Sequence, residues 1–128
     1  MEDEACVPDL LGLAWEQLLA SAARREQGAH FTPSKVADLV VELAFGSTVQ
    51  PVDVRTCRVW DPTAGGGAFL LASARATEAL HRPSAEESPE VTQQRRANIV
   101  THCFATDIDP VALRVCDAAL EMLSLIHI

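Results

Sequence analysis

Residues 61–70 read Asp61-Pro62-Thr63-Ala64-Gly65-Gly66-Gly67-Ala68-Phe69-Leu70, directly after the apolar pair Val59-Trp60 and directly before an alanine-rich stretch that reaches Leu80. An acidic residue closing a strand, a glycine turn and a helix start form a recurring device for holding a nucleoside cofactor. Glycine suits the turn because a side chain there collides with a ligand lying against the backbone. The spacing narrows the ligand. A dinucleotide fingerprint, G-x-G-x-x-G, requires a last glycine where this chain, counted from Gly65 and Gly67, has Leu70. The loop therefore suits a nucleoside without phosphates.

Working outward, the turn predicts a short strand over 57–60 before it and a helix over 68–81 after it, stopped ahead of Pro83. Residues 82–97 are polar, with Pro83, Ser84, Glu86, Glu87, Ser88, Pro89 and Glu90 clustered, and read as a surface insertion with a short helix over 90–98. A second strand is expected over 102–106, with Ile99 as its earliest start. It ends at Asp107-Ile108-Asp109-Pro110, where Asp109 can cap and Pro110 can open a helix bearing Val111, Leu113, Val115, Ala119 and Leu120. Strand, helix, strand, helix is the grammar of a parallel sheet in an α/β fold.

Upstream, Leu10, Leu11, Ala14, Leu18, Leu19 and Ala22 recur near helical spacing and predict an amphipathic helix over 9–26 capped by Asp9. Gln27-Gly28-Ala29-His30-Phe31-Thr32-Pro33 breaks it. A second helix should start at Pro33 or Ser34, with Val36, Leu39, Val40 and Leu43 as its buried stripe and Gly46 as its stop, followed by a loop over 47–56.

Asp61 and Asp107 both stand at strand ends, and adjacent parallel strands would bring both to the crevice where doubly wound sheets bind ligands. A carboxylate at that edge can accept both hydroxyls of a ribose, which suits Asp107. The plainer alternatives are that Asp107 and Asp109 only cap the following helix and that Asp61 only shapes an Asp-Pro turn. Ile108 fits a purine face or a place in the core equally well.

The 128 residues make one small domain or part of a larger one, and 48% hydrophobic residues suffice for a core. The formal net charge of -8 argues against this chain alone gripping a phosphate backbone. The cysteines, Cys6, Cys57, Cys103 and Cys116, are dispersed without a metal-ligand spacing, so reduced thiols in a cytoplasmic protein and no metal are expected. Nothing approaches the ~20 apolar residues of a membrane span, and the acidic start Met1-Glu2-Asp3-Glu4 is unlike a secretory leader.

With these residues in view, residues 25–122 resemble the N-terminal cofactor-binding part of adenine-specific (N6) DNA methyltransferases, the modification-subunit type of restriction-modification systems. The resemblance rests on separated motifs in the family's order: Gly28-Ala29-His30-Phe31-Thr32-Pro33, then Asp61 to Leu70, then Ala105-Thr106-Asp107-Ile108-Asp109-Pro110. The glycine motif is shared by many methyltransferases. The aromatic-Thr-Pro turn upstream of it is far more specific to enzymes acting on DNA. The resemblance implies an incomplete Rossmann-like, S-adenosylmethionine-dependent methyltransferase fold preceded by N-terminal helices. Residues 1–50 would form the helical segment with the cofactor turn, and 51–128 the first part of the α/β domain.

The cofactor implied is S-adenosyl-L-methionine. Position by position, Thr32 would bind its methionine carboxylate, flanked by Phe31 and Pro33, and Asp61 would sit near its amino group, directly or through water. Pro62, Ala64, Gly65 and Gly67 would present backbone, Asp107 would hold the ribose and Ile108 would flank the adenine. Two departures stand out. Ala64 replaces the family's commonest cysteine, and 82–97 lengthens the path from Gly67 to Asp107 beyond a compact unit.

In that family a later Asn/Asp/Ser-Pro-Pro-Tyr/Phe strand end holds the flipped adenine, and these residues contain no such motif, so no catalytic residue is assigned. The expectation is a fragment that binds the donor without catalysis, with DNA held by regions outside it and restriction and specificity subunits as further partners. Residues 123–128, Leu123-Ser124-Leu125-Ile126-His127-Ile128, read as a non-native tail, with the end of a native helix as the plainer alternative. Poor solubility is expected of a partial sheet with uncovered helices. Competing readings keep the fold but place the methyl group on RNA or a protein glutamine, or make the chain a non-catalytic interaction domain.

Overall fold

Two short strands, β1 (Val59–Asp61) and β2 (Cys103–Ala105), lie side by side and parallel, with Val59 opposite Cys103, Trp60 opposite Phe104 and Asp61 opposite Ala105. They come from a computed structural model that describes residues 7–19, 26, 31–46, 56–80 and 87–125. Most of the expected break at 27–33, most of the loop over 47–56 and residues 126–128 lie outside the described residues, as does the continuation of the first helix beyond Leu19, apart from Glu26.

The element order is α1 (Val7–Leu18), α2 (Ser34–Gly46), β1, α3 (Ala68–Leu80), α4 (Pro89–Val100), β2 and α5 (Pro110–Leu125). Parallel neighbours need a crossover, and α3 with α4 supplies it. This arrangement is a helix-rich α/β structure on a small parallel sheet. No described helix is long and apolar enough to cross a membrane.

α3 sits at the centre, and its composition explains how. Leu70, Leu71 and Ala74 pack with Ala64, Cys116, Ala119, Leu120 and Leu123, against Val59, Cys103 and Ala105 of the strands. On its other side Ala72, Ala76 and Phe69 meet Ala37, Val41 and Phe45 of α2. Alanines let helices approach closely from two directions while retaining high helix propensity. The other face of the sheet presents the register partners Trp60 and Phe104, both exposed.

Several expected stripes are corrected. In α1 the buried residues are Pro8, Asp9 and Gly12, while Leu10 is exposed and Leu18 is 87% exposed. Asp9 does not cap: α1 already begins at Val7, and the Asp9 carboxylate instead reaches Arg75 of α3. In α2 the expected stripe of Val36, Leu39, Val40 and Leu43 faces outward, because the small side of the helix, Ala37 and Val41, is the one that fits the alanines of α3. In α5 Ala112, Cys116, Ala119, Leu120 and Leu123 are buried, whereas Val111 is exposed. Leu123 thus belongs to the main core cluster.

Residues 89–97 of the polar stretch 82–97 belong to helix α4, which has Ser88 as N-cap and Pro89 in its first turn and runs beyond the expected 90–98. It is polar around its circumference, and only Arg96 is buried, held by Glu78 of α3 at 2.6 Å. Arg95 pairs with Glu87 and with Glu78, the latter at 3.6 Å. These ion pairs tie α4 to α3, and at its C-terminal end Ile99 and Val100 pack on the core.

Candidate functional site

Beyond the parallel strands the two following loops are joined bond by bond. Thr106 donates its N–H to the Asp61 carbonyl at 3.0 Å, Ala64 donates to the Thr106 carbonyl at 3.0 Å, and Thr106 Oγ1 donates to the Pro62 carbonyl at 3.1 Å. Asp107 completes the seam. Its Oδ2 accepts the Gly65 N–H at 2.9 Å and its Oδ1 accepts the Asp109 N–H at 2.9 Å. Asp109 is the residue that caps, accepting from Val111 N at 2.8 Å. The plain capping alternative therefore fits Asp109, while Asp107 reaches across to the glycine turn. A carboxylate has about four lone-pair directions, so each Asp107 oxygen retains acceptor capacity.

A cavity of about 440 Å³ opens above this seam. Its wall includes Phe31, Thr32, Pro62, Ala64, Gly65, Asp107 and Ile108, which brings the aromatic-Thr turn, the glycine turn and the end of β2 to one place. Ile108 is 85% exposed, so it is a rim residue and not part of the core. Gly65 has φ +51°, and a Cβ built on it meets nothing within 4 Å, which leaves open space over its backbone. That volume lies in the ~300–1,000 Å³ range of small-molecule sites.

Pro33, Asp61 and Gly67 are not among the lining residues. Pro33 stands one position before α2 and its carbonyl accepts from Val36 and Ala37 at 3.0 and 3.1 Å, anchoring the first turn. Asp61 folds back, its Oδ1 accepting the Thr63 N–H at 3.0 Å, and its Oδ2 is buried with no partner among the described residues. This is the turn-forming role weighed as its alternative. Gly67 has φ +90°, and a Cβ there would lie 2.8 Å from Cys116 Sγ, so its glycine serves the core side of the turn.

Sequence reasoning missed α1 as a wall of the cavity. Asp9, Gly12, Trp15 and Glu16 all line it. A Cβ on Gly66 would lie 2.5 Å from Gly12 Cα, so backbone meets backbone where α1 crosses the glycine turn. The signal was Gly12 itself, since a glycine inside a helix costs about 0.5–1 kcal/mol relative to alanine and asks for a reason. Asp9 is 3% exposed, and Arg75 binds its Oδ2 at 3.0 Å while also holding Asp38 at 2.8 Å. Burial holds the Asp9 carboxyl above its ordinary range, against the pull of Arg75.

Charge on the wall is one-sided. Asp9, Glu16, Asp107 and Asp109 line the cavity, with no Lys, Arg or His among its described lining residues. No group of side chains able to hold a metal occurs among the described residues. Such a wall repels phosphates and suits a cation.

The family model for N-6 DNA methylase matches residues 6–122. The chain belongs to the N-6 DNA methylase family. It is thus a member of the family of enzymes that methylate adenine N6 in DNA. No curated protein and no solved structure matches the chain. The span that matches this N-6 DNA methylase model contains α1, α2, both strands and most of α5, so every described wall of the cavity lies within it.

Proposed function

We propose that the cavity beneath α1 holds S-adenosyl-L-methionine for methyl transfer to adenine N6 in DNA. The observation that carries the reading is the Asp107 carboxylate fixed at 2.9 Å on the Gly65 N–H, at a cavity whose ionisable lining, among the described residues, is wholly acidic. The residues fit the group. The donor carries a sulfonium and an ammonium but no phosphate, and the open space over Gly65 leaves room for a nucleoside against the backbone.

In this reading Asp107 uses its remaining lone pairs for the ribose hydroxyls, and its bonds to Gly65 and Asp109 prevent the carboxylate from turning away. Ile108 flanks the adenine at the rim. Phe31 and Thr32 close the methionine end, with Thr32 as donor to the carboxylate beside the N-terminus of α3. Asp61 and Gly67 keep the turn in shape. Pro33 starts α2, which braces α3 from behind. When bound, the cofactor supplies an electrophilic methyl group.

The strand pair and its crossover form the opening of a Rossmann-like sheet in this reading, with the helices α1 and α2 placed ahead of it as a cofactor-covering segment. The base-holding Pro-Pro-aromatic strand end is not among these 128 residues, so the chain provides the donor site and not the step on the base. With a net charge of -8 the chain leaves DNA to other, basic surfaces. Restriction and specificity subunits are fitting partners, and the cytoplasm, where DNA and donor meet, the fitting place.

Trp15 on the cavity wall provides the assay. Titrating the folded chain with S-adenosylmethionine should change its indole fluorescence and release heat, while ATP should do neither. Absence of any response to the donor, with circular dichroism showing the helices formed, would overturn the proposal.

A further inference from the structure

The α1 wall of the cavity contains an acceptor with nothing to accept. Asp9 Oδ2 is taken by Arg75, but Oδ1 is buried and has no hydrogen-bond partner among the described residues, and the residue as a whole is only 3% exposed. Leaving such a group unmet costs roughly 1–3 kcal/mol, more when it is charged. Arg75 does not cancel the charge, because it is shared with Asp38. Nor does any other described lining group, since Glu16, Asp107 and Asp109 are acidic too. Asp9 lines the cavity, so a ligand held there is the nearest source of a donor for this oxygen.

We propose that Asp9 is the counter-ion for a cationic amino group of the ligand, which in the donor reading above is the α-ammonium at its amino-acid end. The inference rests on that reading and extends it by placing α1 inside the binding site. An ammonium is compact and carries several donors, so one can meet a single carboxylate oxygen and still serve others. Thr32 lines the same cavity and would take the α-carboxylate, so the zwitterion would lie between a hydroxyl and an acid. The contact of Gly12 with Gly66 sets how far Asp9, one helical turn away from Gly12, stands from the glycine turn. Asp61, to which the resemblance assigned the amino group, also has an unpartnered oxygen, but it does not line the cavity, whereas Asp9 does.

The test compares three ligands by calorimetry on the full chain: S-adenosylhomocysteine, its deaminated analogue that retains the carboxylate, and 5′-methylthioadenosine. The native chain should prefer the ammonium-bearing ligand about tenfold or more, as a charge-assisted bond warrants. Asp9→Asn should bring that preference to within about twofold while leaving 5′-methylthioadenosine binding unchanged. Should Asp9→Asn fail to fold, Asp9→Asn combined with Arg75→Gln removes the stranded cation as well and takes its place. Equal binding of the first two ligands by the native chain, or a preference that survives in the variant, overturns the assignment to Asp9 and leaves the nucleoside site standing. Binding of none of the three by the folded native chain overturns the donor reading, and this inference with it.

Discussion

Gly12 and Gly66 touch through their main chains, and a Cβ on Gly66 would lie 2.5 Å from Gly12 Cα, whereas one on Gly12 would lie 3.3 Å from Gly66 Cα. Since the first distance is one that atoms cannot hold and the second is only tight, the two positions should differ. Gly66→Ala should destabilise the chain by about 1–3 kcal/mol and weaken donor binding, because α1 must lift off the turn. Gly12→Ala should cost less, as the gain in helix propensity offsets part of the strain. Urea midpoints of the two variants, compared with donor affinity, check the ranking.

Asp107→Asn preserves size but turns one acceptor into a donor that faces a backbone N–H. Loss of one charge-assisted bond should lower stability by about 1.5–3 kcal/mol. Donor affinity should fall further than stability explains, which calorimetry under folding conditions would reveal.

Arg75 holds two carboxylates of very different burial, Asp9 at 2% side-chain exposure and Asp38 at 49%. Arg75→Gln strands the buried Asp9 charge and should cost about 3–5 kcal/mol. Asp38→Asn removes only the exposed partner and should cost no more than about 1 kcal/mol. Thermal melts of both variants distinguish the two halves of the network.

Burial pushes the Cys116 thiol up to about 12 and the Cys103 thiol up to about 11. Raised values mean that the unfolded chain loses these protons first, so the stability they contribute is complete below the ordinary thiol range, near 9, and declines as pH rises from there toward 11 to 12. Urea midpoints should therefore drop between pH 8 and pH 10.5. Cys116→Ala should flatten that slope even though it lowers stability at pH 8.

The outward face of α2 presents Val36, Leu39, Val40 and Leu43, and the sheet presents Trp60 and Phe104. Apolar groups in this number favour self-association. Leu39→Lys with Leu43→Glu should raise the concentration at which the chain stays monomeric in sedimentation, leaving its helical signal unchanged.

Chemistry that depends on spacing along the chain was legible in the sequence. The acid, glycine turn and helix start at 61–70, the cap at Asp109 and the ends of α3 all follow from local rules, and the structure has them. The parallel pairing of β1 with β2 followed from the order of elements. Burial did not. Leu10, Leu39 and Leu43 have the periodicity of core positions, yet Gly12, Ala37 and Ala72 make the contacts, because close backbone approach rewards small residues that a hydrophobicity pattern undervalues. Asp9 was read as a cap because its partner, Arg75, is 66 positions away, and no window along the chain connects them. The cavity shared this fate in part: its Thr32, Gly65 and Asp107 walls were foreseen as motifs, and its α1 wall was not.

The bond from Gly65 to Asp107 spans 42 positions, which include α3, α4 and β2. Closing so long a loop is entropically demanding and comes late in assembly. A nascent chain still emerging from the ribosome, with α1 and the glycine turn already outside, would lack this anchor until residue 107 followed. Affinity for the methyl donor is thus expected to arrive in one step, and capture of the ligand becomes a reporter that the whole path through α3 and α4 has reached its native route.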